Sequence, residues 1–225
     1  MQAVKNVSFS VSQNETVALI GSNGAGKTTV FHILTGYTKP TSGKFFLYEK
    51  DLTQKNTAEI SAAGIARTFQ NIRLFSSMTV LENVQIALET RARFMSRHAF
   101  REEAYHFLTA YGLSSYAHKL AGSLPYGEKR RLELVRALAT NPKLLLLDEP
   151  AAGQSSFDRE TLLLHLQEIS RRIPILFIEH DMNFIRSLAD RVVAMHQGAV
   201  ISEGFPDVVL SCPAVIDSYL GGVPC

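Results

Sequence analysis

Charge of one sign, cysteine and long apolar runs are all scarce in this chain, and each scarcity removes a class of protein. Lysine plus arginine outnumber aspartate plus glutamate only 23 to 21, a formal net charge of +2 over 225 residues. So balanced a surface gives no argument for a nucleic-acid partner, and none is expected. The two cysteines, Cys212 and Cys225, both fall in the C-terminal segment, where a disulfide could not staple a core; a reducing compartment is the simpler expectation. The most apolar stretch, Leu144 to Leu147, is flanked by Lys143 and Asp148 and is far too short to span a bilayer. No signal-peptide pattern opens the chain, and it carries no internal repeat or low-complexity segment. A soluble protein is expected, unless a partner holds it at a membrane. The length suits one compact α/β unit with room for a subdomain.

What is present centres on GSNGAGKT, Gly21 to Thr28, between an apolar strand-like run (Thr16 to Ile20) and a run with helical character (Thr28 to Leu34). Glycines 21, 24 and 26 let the backbone bend so that successive N–H groups face an anion, and the helix offers its positive N-terminal end. Gly21, Ser22, Asn23, Gly24, Ala25, Gly26, Lys27, Thr28 and Thr29 are the expected phosphate cradle. Lys27 would reach the β- and γ-phosphates and the Thr28 hydroxyl would ligate Mg²⁺. A second element, LLLLDE, suits a strand buried on both faces that ends in two carboxylates, where parallel sheets bind ligands. Asp148 would hold Mg²⁺ through its water shell, and Glu149 is placed to polarise a water for in-line attack on the γ-phosphate. The two elements together define a nucleoside triphosphatase.

Elsewhere, alternation from Val7 to Val11 reads as a half-exposed strand. Lys44 to Tyr48 reads as a strand, Ala58 to Ala63 as a short helix ending at Gly64, and Ile65 to Phe69 as a strand that delivers Gln70. From Thr79 the spacing of Val80, Val84, Ala87 and Leu88 is helical, and helix formers dominate through Ala110, as in an inserted subdomain. Arg93, Arg97 and Arg101 would share one solvated helix face. Lys143 to Asp148, Ile175 to Glu179 and Val192 to Met195 are further strands separated by helices, a pattern that gives a mostly parallel sheet covered on both faces.

The stretch SLPYGEKRRLELVRAL, ahead of LLLLDE, completes a set of motifs that resembles the ATP-binding cassette of ABC transporters across nearly the whole chain. The Walker A motif is GSNGAGKT, the glutamine loop TFQ with Gln70, the signature LPYGE, Walker B LLLLDE, the D-loop AAGQS, and the switch histidine lies in IEHD. TFQNIRLFSSMTVLENV, EPAAG, IEHDM and the ending VIDSYLGG look most like the ATPase subunits of branched-chain amino-acid importers. The resemblance implies a P-loop NTPase (RecA-like) α/β fold, with a mostly parallel sheet, an antiparallel N-terminal portion and an inserted helical subdomain. It implies a catalytic core over about 1–75 and 141–225, with the helical signature subdomain over about 76–140. It also implies ATP and Mg²⁺ as ligands, and a second cassette, as homo- or heterodimer, that lends its signature to each site. Permease subunits would be direct partners and a periplasmic binding protein an indirect one, with the chain peripheral on the cytoplasmic face of the inner membrane.

Carried over by position, Gln70 senses metal and attacking water, Glu149 is the general base, and His180 contacts the γ-phosphate. The Tyr126 and Gly127 amides hold phosphate across the dimer. Three positions depart from the pattern: Pro125 stands where the signature serine is usual, Gln154-Ser155 replace Leu followed by Asp or Asn, and no aromatic precedes Phe9. The last departure carries an expectation of weak ATP binding with little preference over GTP. A cassette with weakened turnover and a regulatory or structural role is the alternative.

Overall fold

The structure, a computed structural model, describes residues 3–90 and 96–220, apart from the side chains of Arg97 and Leu220. Its main sheet has six strands in the order β4 (Ile65–Arg67), β5 (Leu144–Asp148), β6 (Ile175–Ile178), β1 (Thr16–Ile20), β7 (Arg191–His196), β8 (Ala199–Gly204). The central strand β1, Thr16–Ile20, is fully buried and lies parallel to both β6 (Ile175–Ile178) and β7 (Arg191–His196). Strands β4 (Ile65–Arg67) and β5 (Leu144–Asp148) continue the parallel array. Strand β5 is buried on both faces: Leu145 and Leu147 join one core cluster, and Leu146 joins the other. Because β1, β4, β5 and β6 run the same way, the residues that follow them emerge along one edge, the place where such sheets bind ligands.

Helix α1, Lys27–Leu34, starts at Gly26, which is left-handed at φ 105°. Helix α2, Thr57–Ala63, opens with a capping box between Asn56 and Glu59 and ends at left-handed Gly64. A third core cluster is helical. It gathers Val80, Val84, Ala87 and Leu88 of α3 (Val80–Glu89), Ala104 and Leu108 of α4 (Arg97–Ala110) and Leu132 and Val135 of α5 (Tyr126–Ala139). Thr79 and Glu82 form the capping box that starts α3.

The structure differs from the sequence reading in three places. Residues 7–11 form no strand; Val7, Phe9 and Val11 are half-buried against the core while Ser8 and Ser10 are exposed. The alternation reports one-sided burial correctly, but a strand also needs a hydrogen-bonded neighbour, and left-handed Asn6 and Asn14 bracket this segment. The expected strand over 44–48 shrinks to Phe46–Leu47 (β2), which with Lys50–Asp51 (β3) forms a two-stranded antiparallel hairpin. The antiparallel strand of the main sheet is β8, Ala199–Gly204, which pairs with β7 through a turn at left-handed Gln197 and Gly198. Arg93 lies outside the described residues, as does the Arg97 side chain; Arg101 stacks over the Tyr105 ring at 5.9 Å.

Candidate functional site

The segment leaving β1 keeps its shape through glycine. Gly21, Gly24 and Gly26 all have positive φ, and a Cβ on Gly21 would stand 2.2 Å from the Met195 carbonyl oxygen. Asn23, Gly24 and Thr28 are exposed, Ser22 and Thr29 half-buried, and Ala25 buried. Lys27 is buried, and its ammonium donates to the carbonyls of Gly21 at 2.5 Å and Ser22 at 3.1 Å. Burial lowers its pKa below the usual lysine value, against the opposing pull of Glu149 and Asp148. Among the described residues it makes no ion pair with a carboxylate. Farther along the chain, Tyr219 of the helix Pro213–Leu220 accepts a 2.8 Å hydrogen bond from the Gly21 amide.

Three more of the expected residues meet beside this loop. Glu149 follows β5 in a left-handed conformation, φ 48°, a strained setting for a side-chain-bearing residue. Gln70, after β4, donates from Nε2 to Glu149 Oε2 at 3.0 Å. His180, after β6, places Nε2 3.4 Å from Glu149 Oε1. Residues from three strand ends thus converge on one carboxylate.

Asp148 is buried and paired with Arg67 at 2.7 Å, and the guanidinium also lies over the rings of Phe31 and Phe69. Arg67 was not among the expected site residues; an arginine in the short apolar strand IAR, three residues ahead of Gln70, is its signal. Glu179 was also missed. It is buried and accepts from the amides of Ala151 at 2.7 Å and His180 at 2.9 Å, so it ties the end of β6 to the loop after β5.

Tyr126 and Gly127 do not join this cluster. They open α5 behind Pro125, whose extended conformation and fixed φ suit a helix start. The Tyr126 hydroxyl donates to Ala152 O at 3.1 Å, and a Cβ on Gly127 would approach an Asp158 oxygen to 2.7 Å. The unusual Gln154-Ser155 pair has a local explanation: Gln154 donates to Pro150 O at 2.6 Å, and Ser155 caps α6, Ser156–Ser170, by accepting from Asp158 N. Among the described residues no three His, Cys, Asp or Glu groups gather as a metal cluster, and no helix is long and apolar enough to cross a membrane.

The ABC transporter family model matches residues 4–152. The high-affinity branched-chain amino acid transport ATP-binding protein BraF of Pseudomonas aeruginosa is 40% identical over 97% of this chain and 92% of its own length. Among solved structures, the ADP conformation of MJ1267, an ATP-binding cassette of an ABC transporter, superposes with a TM-score of 0.88 at 33% identity, covering 97% of this chain and 92% of that one. A dimeric post-hydrolysis state of the cassette MJ0796, bound to ADP and Pi, reaches a TM-score of 0.80 at 28% identity over 91% and 90%.

Proposed function

The chain belongs to the ABC transporter family, and from that premise we propose that it is the ATP-binding and hydrolysing subunit of an importer for branched-chain or related amino acids. The observation that carries this reading is the convergence of Gln70, Glu149 and His180 beside a buried Lys27. A desolvated ammonium surrounded by carbonyls, at a loop whose glycine amides precede a helix, fits a polyphosphate far better than a neutral ligand. Ser22 to Thr29 would cradle the phosphates, with Lys27 as the principal cation. Glu149, acting as base, would take a proton from water as its oxygen attacks the γ-phosphorus. The bond to the β-phosphate oxygen breaks, leaving ADP and inorganic phosphate. Gln70 would orient that water and His180 would contact the γ-phosphate.

Mg²⁺ fits the residues present. Thr28 is exposed, and Asp148 is a buried carboxylate close enough to act on the charge of neighbouring Lys27; magnesium characteristically takes one or two protein oxygens and completes its shell with phosphate and water. Thr28, Asp148 and Gln70 would hold it, and it would supply charge neutralisation on the phosphates. The Arg67 guanidinium, 2.7 Å away, would hold the Asp148 carboxylate in place for that task.

The Tyr126 and Gly127 amides would bind the γ-phosphate of a second cassette's nucleotide. Their own-chain contacts run to Ala152 and Asp158, and the MJ0796 relative forms a dimer. Residues about 76–140 would form the helical arm and about 1–75 with 141–225 the core. The half-exposed apolar groups of Phe69, Ile72, Leu74 and Phe75 would receive a permease helix, which would place the chain on the cytoplasmic face of the membrane, with a binding protein reached only through the permease. The test is phosphate release from ATP by the purified chain with and without Mg²⁺. Magnesium-dependent release is expected; absence of both ATP affinity and release would overturn the assignment.

A further inference from the structure

The interior of α5 carries a buried ion pair that the chemistry above does not use. Arg130 and Glu133 are each 5% exposed and lie 3.3 Å apart through Arg130 Nη1 and Glu133 Oε2. Burying two charges is costly unless their remaining hydrogen-bond capacity is filled. Here it is filled almost wholly by one distant segment of backbone. Arg130 Nη1 donates to Phe69 O at 2.6 Å and Nη2 to Gln70 O at 2.5 Å. Glu133 Oε1 accepts from Phe69 N at 3.3 Å and from Arg73 N at 3.1 Å. The pair therefore grips the peptide groups on both sides of Gln70, the residue whose amide reaches Glu149 at 3.0 Å. The third donor of Arg130, Nε, goes to the Tyr126 hydroxyl at 3.1 Å, and that hydroxyl in turn donates to Ala152 O, three residues past Glu149. Farther along the same helix, Arg136 donates to Arg73 O at 2.5 Å.

We propose that Arg130 and Glu133 are positioning residues for hydrolysis: they fix the backbone at Gln70 to helix α5, so that Gln70 reaches Glu149 only when α5 is seated, and helix and loop shift as one body. Neither side chain touches substrate. Both act through Gln70, and through Tyr126 at the head of α5. Gln70 itself is exposed, and among the described residues its side chain bonds only to Glu149, so its position is set by its backbone. Burial raises the Glu133 pKa, against the lowering effect of the Arg73 amide, Arg130 and the Phe69 amide, consistent with a carboxylate held inside the protein by the loop it binds.

The inference rests on the ATPase reading, so the experiment first measures phosphate release and ATP affinity for the parent chain; no release by the parent would count against that reading and not against the positioning role. Two variants then test the pair. In Arg130→Lys the charge opposite Glu133 is kept, but one ammonium cannot reproduce bonds to Phe69 O, Gln70 O and Tyr126 at once. In Arg130→Met/Glu133→Leu both charges are replaced by apolar groups of similar volume, a change buried pairs commonly tolerate in folding. The expected result for both is kcat lowered at least tenfold, with the ATP dissociation constant changed less than threefold and the melting temperature of Arg130→Lys within a few degrees of the parent. Amide exchange at Phe69 and Arg73 should rise in the double variant. If a folded Arg130→Lys keeps the parent kcat, or if kcat and ATP affinity fall in the same proportion, the pair is only structural and the proposal is overturned.

Discussion

The loop from Gly21 to Thr28 and the segment from Phe69 to Arg73 face the same carboxylate, that of Glu149, by opposite means. The first is shaped by its own residues: three glycines at positive φ, a buried strand before it and a helix after it, and a lysine that folds back on carbonyls five and six residues away. The second has little regular structure, and its backbone bonds reach 60 to 64 residues along the chain, to Arg130, Glu133 and Arg136. A locally determined loop keeps its geometry whatever the helical arm does. A segment held from afar moves with what holds it. Phosphate binding should therefore be robust to changes elsewhere, and turnover should not.

The largest effect that this contrast predicts lies in the local loop. Lys27→Ala removes the buried cation, and ATP affinity should fall at least about a hundredfold, roughly 3 kcal/mol. Calorimetric titration with ATP would show it, and an unchanged dissociation constant would refute the role. A middle-sized effect is expected at the distant end. Phe75 is 44% exposed, and the Arg136 guanidinium lies 4.7 Å from its ring centroid. Phe75→Asp should reduce recovery with permease-containing membranes about tenfold by loss of an apolar contact, ~1.5 kcal/mol. ATP affinity should stay at the parent value; loss of folding instead would make Phe75 part of the hinge packing. The smallest effect concerns a long-range side-chain bond to the phosphate loop, which the Gly198 amide also reaches through Ala25 O at 3.0 Å. Tyr219→Phe deletes the acceptor for the Gly21 amide, and ATP affinity should weaken by only about fivefold, ~1 kcal/mol. A loss as large as that of Lys27→Ala would mean that the loop is not locally determined, and the contrast would collapse.

The same contrast explains what could be read from the sequence. Strand Thr16–Ile20 was bounded correctly because an apolar run stops at a glycine loop, and β5 because Lys143 and Asp148 fence it. The start of α3 after Thr79 is legible in helical spacing, and the end of α2 at Gly64 in the glycine that stops it. Gln70, Glu149 and His180 were picked from motifs and do meet in space. What escaped was set by distant partners. Arg67 serves Asp148 from 81 residues away and Glu179 serves Ala151 from 28, and Arg67 and Glu179 each read by themselves as solvated. Strand β8 went unread although a Gln197-Gly198 turn between apolar runs was its signal. The reverse holds at 7–11, where alternation without a pairing partner gives burial but no ladder.

The central claim is that Glu149 activates water in a site completed by two cassettes. Replacing it by glutamine in Glu149→Gln keeps the shape and removes the base. Light-scattering mass and phosphate release should be measured together on this variant with Mg²⁺ and saturating ATP. The account predicts a mass that doubles on ATP addition, with hydrolysis reduced at least about a hundredfold, the scale expected for a lost general base. Hydrolysis at the parent rate by a chain that stays monomeric would contradict it.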